Sequence, residues 1–227
     1  MLLPSIPVPE GCAVTTCPTV FWGLEDSVAR RTFFSFHYVP DVWRAWNVRN
    51  CWIVKPADQV SSGFFDGSVF EASKKEGDDT LKAFLRDGMD NSSVTCVLTG
   101  THTWRRRWVR YEIARSLIKR NGLLTVYIHG VKNKDEEIAV KGADPLAQMG
   151  VYKANEKIFL AEWKDSKWVK YDDYTLAIPD ADLWFTAPKS NDVVQLSNHC
   201  MSYDFTAQNG RANIGGWIET AAGLAGR

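Results

Sequence analysis

The chain has 227 residues, 45% hydrophobic and 24% charged, with 27 basic and 27 acidic side chains. A chain of that length can bury a core without disulfide or metal staples, and its composition excludes a disordered polymer. Zero formal charge argues against a protein that wraps bulk nucleic acid, and ten tryptophans are the one compositional excess.

The first 31 residues hold three prolines in nine positions, two cysteines and a short apolar patch at Val20–Leu24; they read as an N-terminal extension, either packed or mobile. The opening MLLPSIPVPEG has no basic start and no long apolar run, so no secretion signal is expected. No stretch approaches the ~18 apolar residues of a membrane span. The expectation is a cytoplasmic protein with no membrane and no specific nucleic-acid partner. Cys12, Cys17, Cys51, Cys96 and Cys200 form no C-x-x-C pair, which predicts reduced thiols rather than a disulfide framework or zinc ribbon.

Residues 32–38 (TFFSFHY) are aromatic and uncharged, the pattern of a buried strand. Pro40 and Asp41 open a helical stretch through Asn50, and residues 51–54 read as a short strand. A turn-forming loop, KPADQVSSGFFDGS, follows at 55–68. Leu81, Phe84, Leu85 and Met89 share one face of a helix over 77–91. Residues 93–99 (SVTCVLT) predict another buried strand. Residues 103–121 predict a helix ending at Asn121-Gly122, and 123–129 (LLTVYIH) a further strand. This alternation predicts an α/β fold, a parallel sheet with helices on both faces and ligands bound outside the strands' carboxyl ends. Beyond it, residues 158–163 and 167–171 flank Asp165-Ser166 as a β-hairpin. The last fifty residues read as irregular, with a short helical piece near Trp217.

Several chemistries lack their motifs. There is no G-x-G-x-x-G, no G-K-[ST] and no G-x-S-x-G. A phosphoacceptor domain would place acids at the end of the first strand, where this chain has Phe36, His37 and Tyr38. Four scattered histidines predict no metal site.

The segment 101–117, THTWRRRWVRYEIARSL, carries the most information. On one continuous helix Trp104, Trp108 and Glu112 would form a stripe, beside a core-facing stripe of Val109, Ile113 and Leu117. Glu112 would then sit at the edge of the buried face, desolvated yet within reach of a cleft. Arg105, Arg106, Arg107 and Arg110 crowd the helix start, where guanidinium groups can meet a phosphate. The same pattern also allows Glu112 to pair with Arg115, with the arginines as a solvated face and the tryptophans as packing.

FFSFHY at 33–38, VRN at 48–50, FFDGS at 64–68, SVTCVLTGTHTWRRRWVRYEI at 93–113 and GLL at 122–124 resemble the TIR-like proteins of bacterial Thoeris antiphage defence, the ThsB family. The likeness runs from residue 32 to the C-terminus and takes in Glu162, Trp163, Lys167, Trp168 and Tyr171, and the stretch from Tyr203 to Trp217. It implies a flavodoxin-like TIR domain over 32–155 and a family-specific C-terminal extension over 156–227 packed upon it.

The resemblance further implies an enzyme that cleaves NAD+ between nicotinamide and ribose, with no other cofactor. The product would be an ADP-ribose-derived signal, cyclic in most such proteins, acting on a separate effector. Glu112 takes the catalytic position and Trp108 that of an aromatic set against a bound base. Phe36, His37 and Tyr38 match a nucleotide-binding strand end, and Arg105 and Asp66 join the substrate-binding set. The 55–68 loop matches one that mediates self-assembly and gates the pocket, and a phage-derived trigger is implied for the system. A non-catalytic interaction module and an ADP-ribose-type nucleotide sensor are the alternative readings.

Overall fold

A computed structural model describes residues 30–53 and 77–227. The 55–68 loop with Asp66, and residues 1–29 of the N-terminal extension, lie outside the described residues.

Four parallel strands form the central sheet. In chain order they are β1 (Thr32–Phe36), β2 (Val94–Thr99), β3 (Gly122–Tyr127) and β8 (Met201–Asp204), hydrogen-bonded as β1-β2-β3-β8. The first three are buried almost throughout because both faces are covered. Alternation sends Phe34, Cys96, Leu98, Leu124 and Val126 to one face. There they meet Ala45 and Val48 of α1 (Tyr38–Ile53) and Ile214, Trp217 and Ile218 of α4 (Gly210–Leu224). On the other face Val97 and Leu123 meet Val109, Ile113 and Leu117 of α3 (Arg107–Ile118). The helix α2 (Asp78–Met89) packs outside α3 through Leu81, Leu85 and Tyr111. Helices therefore cover both faces, as the alternation predicted.

A second sheet is antiparallel and ordered β6-β5-β4-β7. It comprises β4 (Met149–Ala154), β5 (Lys157–Lys164), β6 (Lys167–Lys170) and β7 (Val194–Gln195). The expected hairpin is present, with Asp165 at φ 50° and Ser166 at φ 61°. Positive φ at both central residues matches a two-residue turn to the twist of its strands. Trp163 and Trp168 are directly paired across it, with ring centroids 5.4 Å apart.

Several expectations need correction. Residues 51–53 are the last turn of α1, not a strand: Cys51 continues the buried stripe of Ala45 and Val48 onto the core. Tyr38 opens that helix rather than ending β1. The helix α3 stops at Ile118 and reverses through Arg120 at φ 57°. Gly122 serves packing instead, since a β-carbon there would overlap the carbonyl of Ala221 on α4. The C-terminal stretch is far from irregular. It supplies β8, paired in parallel with β3, and a helix of 15 residues. The strands β4 and β5, on either side of residue 155, are paired, and β8 completes the central sheet. Among the described residues no helix is long and apolar enough to cross a membrane.

Candidate active site

The carboxyl ends of β1 and β2 and the start of α3 bring together most of the residues of interest. Ser35 leaves β1 on the α3 side, and its hydroxyl donates to Oε2 of Glu112 in a buried hydrogen bond. Glu112 is 6% exposed. Burial raises its pKa from 4.5 to about 8, opposed only by that hydrogen bond. The pairing with Arg115 is absent. Besides Ser35, two more hydroxyls lie between helix and sheet near Glu112, those of Thr95 and Ser116. Ser116 Oγ lies 2.7 Å from both Thr95 Oγ1 and the Glu112 carbonyl oxygen.

His37 follows β1 directly, and its carbonyl accepts from Asp41 N–H as α1 begins (3.1 Å). Its Nδ1 is buried without a hydrogen-bond partner among the described residues. Burial, then the charges of Arg106, His102 and Arg105, lower its pKa from 6.5 to about 4. Arg105 Nη2 lies 2.7 Å from His102 Nδ1, and its guanidinium rests 5.2 Å from the Trp104 ring. Arg106 is exposed and makes no side-chain hydrogen bond or ion pair among the described residues. These cations converge on His37, and no acid figures among the charges acting on it. Such a grouping suits an anion.

The other two arginines are already occupied. Arg107 grips Asp173 with two hydrogen bonds (2.9 and 2.8 Å) and pairs with Asp78 at 2.7 Å. Arg110 is buried against Glu162 of β5. The arginine run therefore divides by partner: Arg107 and Arg110 are held by acids, whereas Arg105 leans on His102 and Trp104, lining the same cleft as Arg107 and Arg110, and Arg106 is exposed.

The predicted stripe of Trp104, Trp108 and Glu112 is not built, because residues 103–105 form a separate 3-10 turn before α3. Trp104 instead lines a cleft of ≈ 690 Å³ with Trp163 and Tyr171, on the flank of α3 that carries Arg107 and Arg110. Trp108 is half-buried against the cluster of Leu81, Leu85 and Tyr111, with the Arg107 guanidinium 4.6 Å from its ring. Alternation turns Phe36 to the α1 and α4 face, away from Ser35 and Glu112, with its ring 6.2 Å from Tyr38. Phe36 is partly buried and packs against the core on that face.

Sequence reasoning missed Asp41. Its carboxylate is 2% exposed, accepts from Thr103 Oγ1 (3.4 Å) and lies 3.7 Å from Arg44 Nη1. Burial, against the pull of Arg44 and Thr103, raises its pKa to about 6. A β-carbon on Gly100 would overlap that carboxylate. Gly100 is thus required by the close approach of Asp41, which ties the start of α1 to the turn carrying His102 and Arg105. The only signal in the sequence was an acid in the first turn of a helix, which ordinarily means a solvated cap.

Two comparisons place the chain. Residues 33–133 match the family described as Thoeris protein ThsB, TIR-like domain. A Bacillus cereus (strain MSX-D12) protein named "Putative cyclic ADP-D-ribose synthase ThsB1" is 36% identical over 196 residues, which is 84% of this chain and 100% of the relative. A parallel sheet covered on both faces, with a match over the whole of that relative, makes this chain a member of the Thoeris ThsB family, carrying its TIR-like domain.

Proposed function

We propose that this protein consumes NAD+ by breaking the bond between nicotinamide and ribose, and releases a cyclic ADP-ribose-type product. The name of the relative supports the substrate and product class. The observation that carries the site is Glu112, a carboxyl group almost removed from solvent beside the carboxyl end of β1.

The chemistry asks little more. When the C1′–N1 bond of NAD+ breaks, its electron pair neutralises the nicotinamide ring, so the leaving group needs no acid. The positive charge passes to an oxocarbenium-like ribose. A carboxylate within reach of the ribose hydroxyls stabilises that charge and orients the ring, as the carboxylates of glycosidases do. The cationic nicotinamide favours the ionised form of Glu112, against the burial that opposes it in the free protein. Arg105 and Arg106 offer the positive charge that a pyrophosphate needs, beside the imidazole of His37. Capture of the ribosyl cation by a ring nitrogen of the same molecule closes a cycle. Capture by one of its hydroxyls does so with loss of the hydroxyl proton. Exclusion of water favours both over hydrolysis.

In this reading the product is a diffusible signal for a separate effector. A phage-derived trigger and assembly through the 55–68 loop belong to the same reading and rest on the family likeness alone. Mass spectrometry of the reaction with NAD+ tests the proposal. Nicotinamide and an ADP-ribose-derived product should appear in equal amounts, and Glu112→Gln should reduce turnover at least about 100-fold. Wild-type turnover in a folded Glu112→Gln protein would overturn it.

A further inference from the structure

Glu112 presents two carboxylate oxygens that are not equivalent. Oε2 accepts the buried hydrogen bond from Ser35, whereas Oε1 has no hydrogen-bond partner among the described residues. Ser35 lies within the apolar run of β1, in register with Val97 of β2, at a position where an aliphatic side chain would be the ordinary choice. Its hydroxyl is itself 1% exposed at the residue level, so its place is fixed by the strand rather than by solvent.

We infer that Ser35 is a positioning residue for the reaction: its hydroxyl clamps Oε2, turns Oε1 toward the ribose hydroxyls and favours the ionised carboxylate that the transition state requires. This rests on the reading of Glu112 as the carboxylate of NAD+ cleavage.

The surroundings leave Ser35 alone in that task. The charged groups of α3 on either side are Arg110, paired with Glu162, and Arg115; neither charge figures among the influences on the Glu112 carboxyl. From α2, Lys82 is paired with Asp173 and Arg86 donates to Tyr111 Oη at 3.3 Å. From the sheet, Thr95 and Ser116 are neutral hydroxyls bonded to each other. His37, beyond the end of β1, is uncharged at neutral pH. Burial and the Ser35 hydrogen bond are thus the two opposing forces on this carboxyl group. Removing the hydrogen bond leaves burial unopposed, so the carboxyl should hold its proton to higher pH.

The test pairs a kinetic pH profile with a direct titration. Ser35→Ala should move the acidic limb of kcat for NAD+ cleavage upward by about one to two pH units, the size of a hydrogen bond to a charged group. At neutral pH that is a loss of about tenfold or more in kcat, with KM little changed and recovery at higher pH. Ser35→Thr, which keeps the hydroxyl, should return the limb toward its wild-type position. An equal displacement in Ser35→Thr would assign the effect to packing and overturn the inference.

Carbon-13 NMR of glutamate-labelled protein reads the same quantity without turnover, with the Glu112 carboxyl signal assigned by its loss in Glu112→Gln. A titration that moves upward in Ser35→Ala supports the role of Ser35. An unmoved titration overturns it, even if wild-type protein consumes NAD+. Absence of NAD+ consumption by wild-type protein, with the titration shifted, instead sinks the reading beneath it and leaves the Ser35–Glu112 relation intact.

Discussion

Arg110 of α3 and Glu162 of β5 form an ion pair almost wholly removed from solvent, with side chains 9% and 11% exposed. The pair ties the helix that carries Glu112 to the antiparallel sheet, and Arg110 Nε also donates to the Trp104 carbonyl (3.3 Å). Arg110→Ala would leave a buried carboxylate without its partner, a change that costs about 3–5 kcal/mol. Urea unfolding should show a loss of that order. Arg110→Met combined with Glu162→Leu should recover more than half of it, because the double change removes both charges. A loss below about 1 kcal/mol in the single variant would mean that the pair does not secure α3.

The buried carboxyl group of Glu112 should make stability depend on pH. Its pKa is about 8 in the fold and 4.5 in the unfolded chain. Between those values the unfolded chain has released a proton that the folded protein keeps, so stability falls as pH rises through that window. Glu112→Gln removes the titration and keeps an amide that Ser35 can meet. The variant should therefore be more stable than wild type at pH 8, by an amount on the order of a few kcal/mol, and the gain should shrink toward pH 5. Thermal melts across that range would measure it. A constant difference between the two proteins would show that burial does not strain the carboxyl.

Part of this was legible before the structure. The strands β2 and β3 announce themselves as apolar runs, and Val109, Ile113 and Leu117 mark the buried stripe of α3 because only a helix brings them together. Glu112 at the edge of that stripe was readable for the same reason. Other features had no local signal. Ser35 looks like a tolerated small residue in a strand until β1 is set against α3. The strand β8 is four residues long and is specified by its pairing with β3, not by its own composition. Trp104 keeps helical spacing with Trp108, yet a 3-10 turn at Thr103–Arg105 removes it from that helix. Spacing decides a face only where the element is continuous.

The division within the arginine run should appear in kinetics. Arg105 and Arg106 are exposed beside His37, whereas Arg107 is held by Asp173 and Asp78. Arg105→Ala and Arg106→Ala should each raise KM for NAD+ by about tenfold, the loss of one charge-assisted contact to a phosphate, with kcat little changed. Arg107→Ala should leave KM near its wild-type value, since its guanidinium is already committed. Equal KM effects at all three positions would assign them to general electrostatic attraction; a strong common dependence on salt would then accompany them.

His37 offers a second reading of the same surface. In the free protein its pKa lies near 4, lowered by burial and by the neighbouring charges of Arg106, His102 and Arg105. An anion bound among those groups would offset their charge and favour the imidazolium, so the pKa should rise on binding. Between pH 5 and 6 the free ring is mostly neutral, and binding should then draw a proton from solution. At pH 8 the ring should be neutral with or without ligand, and the uptake should vanish. Calorimetry with ADP-ribose in two buffers of different ionisation enthalpy measures this, and His37→Gln should abolish the difference between buffers at pH 5.5. If the heats at pH 5.5 are independent of buffer, the phosphates do not lie against His37, and the cations gathered around it need another occupant.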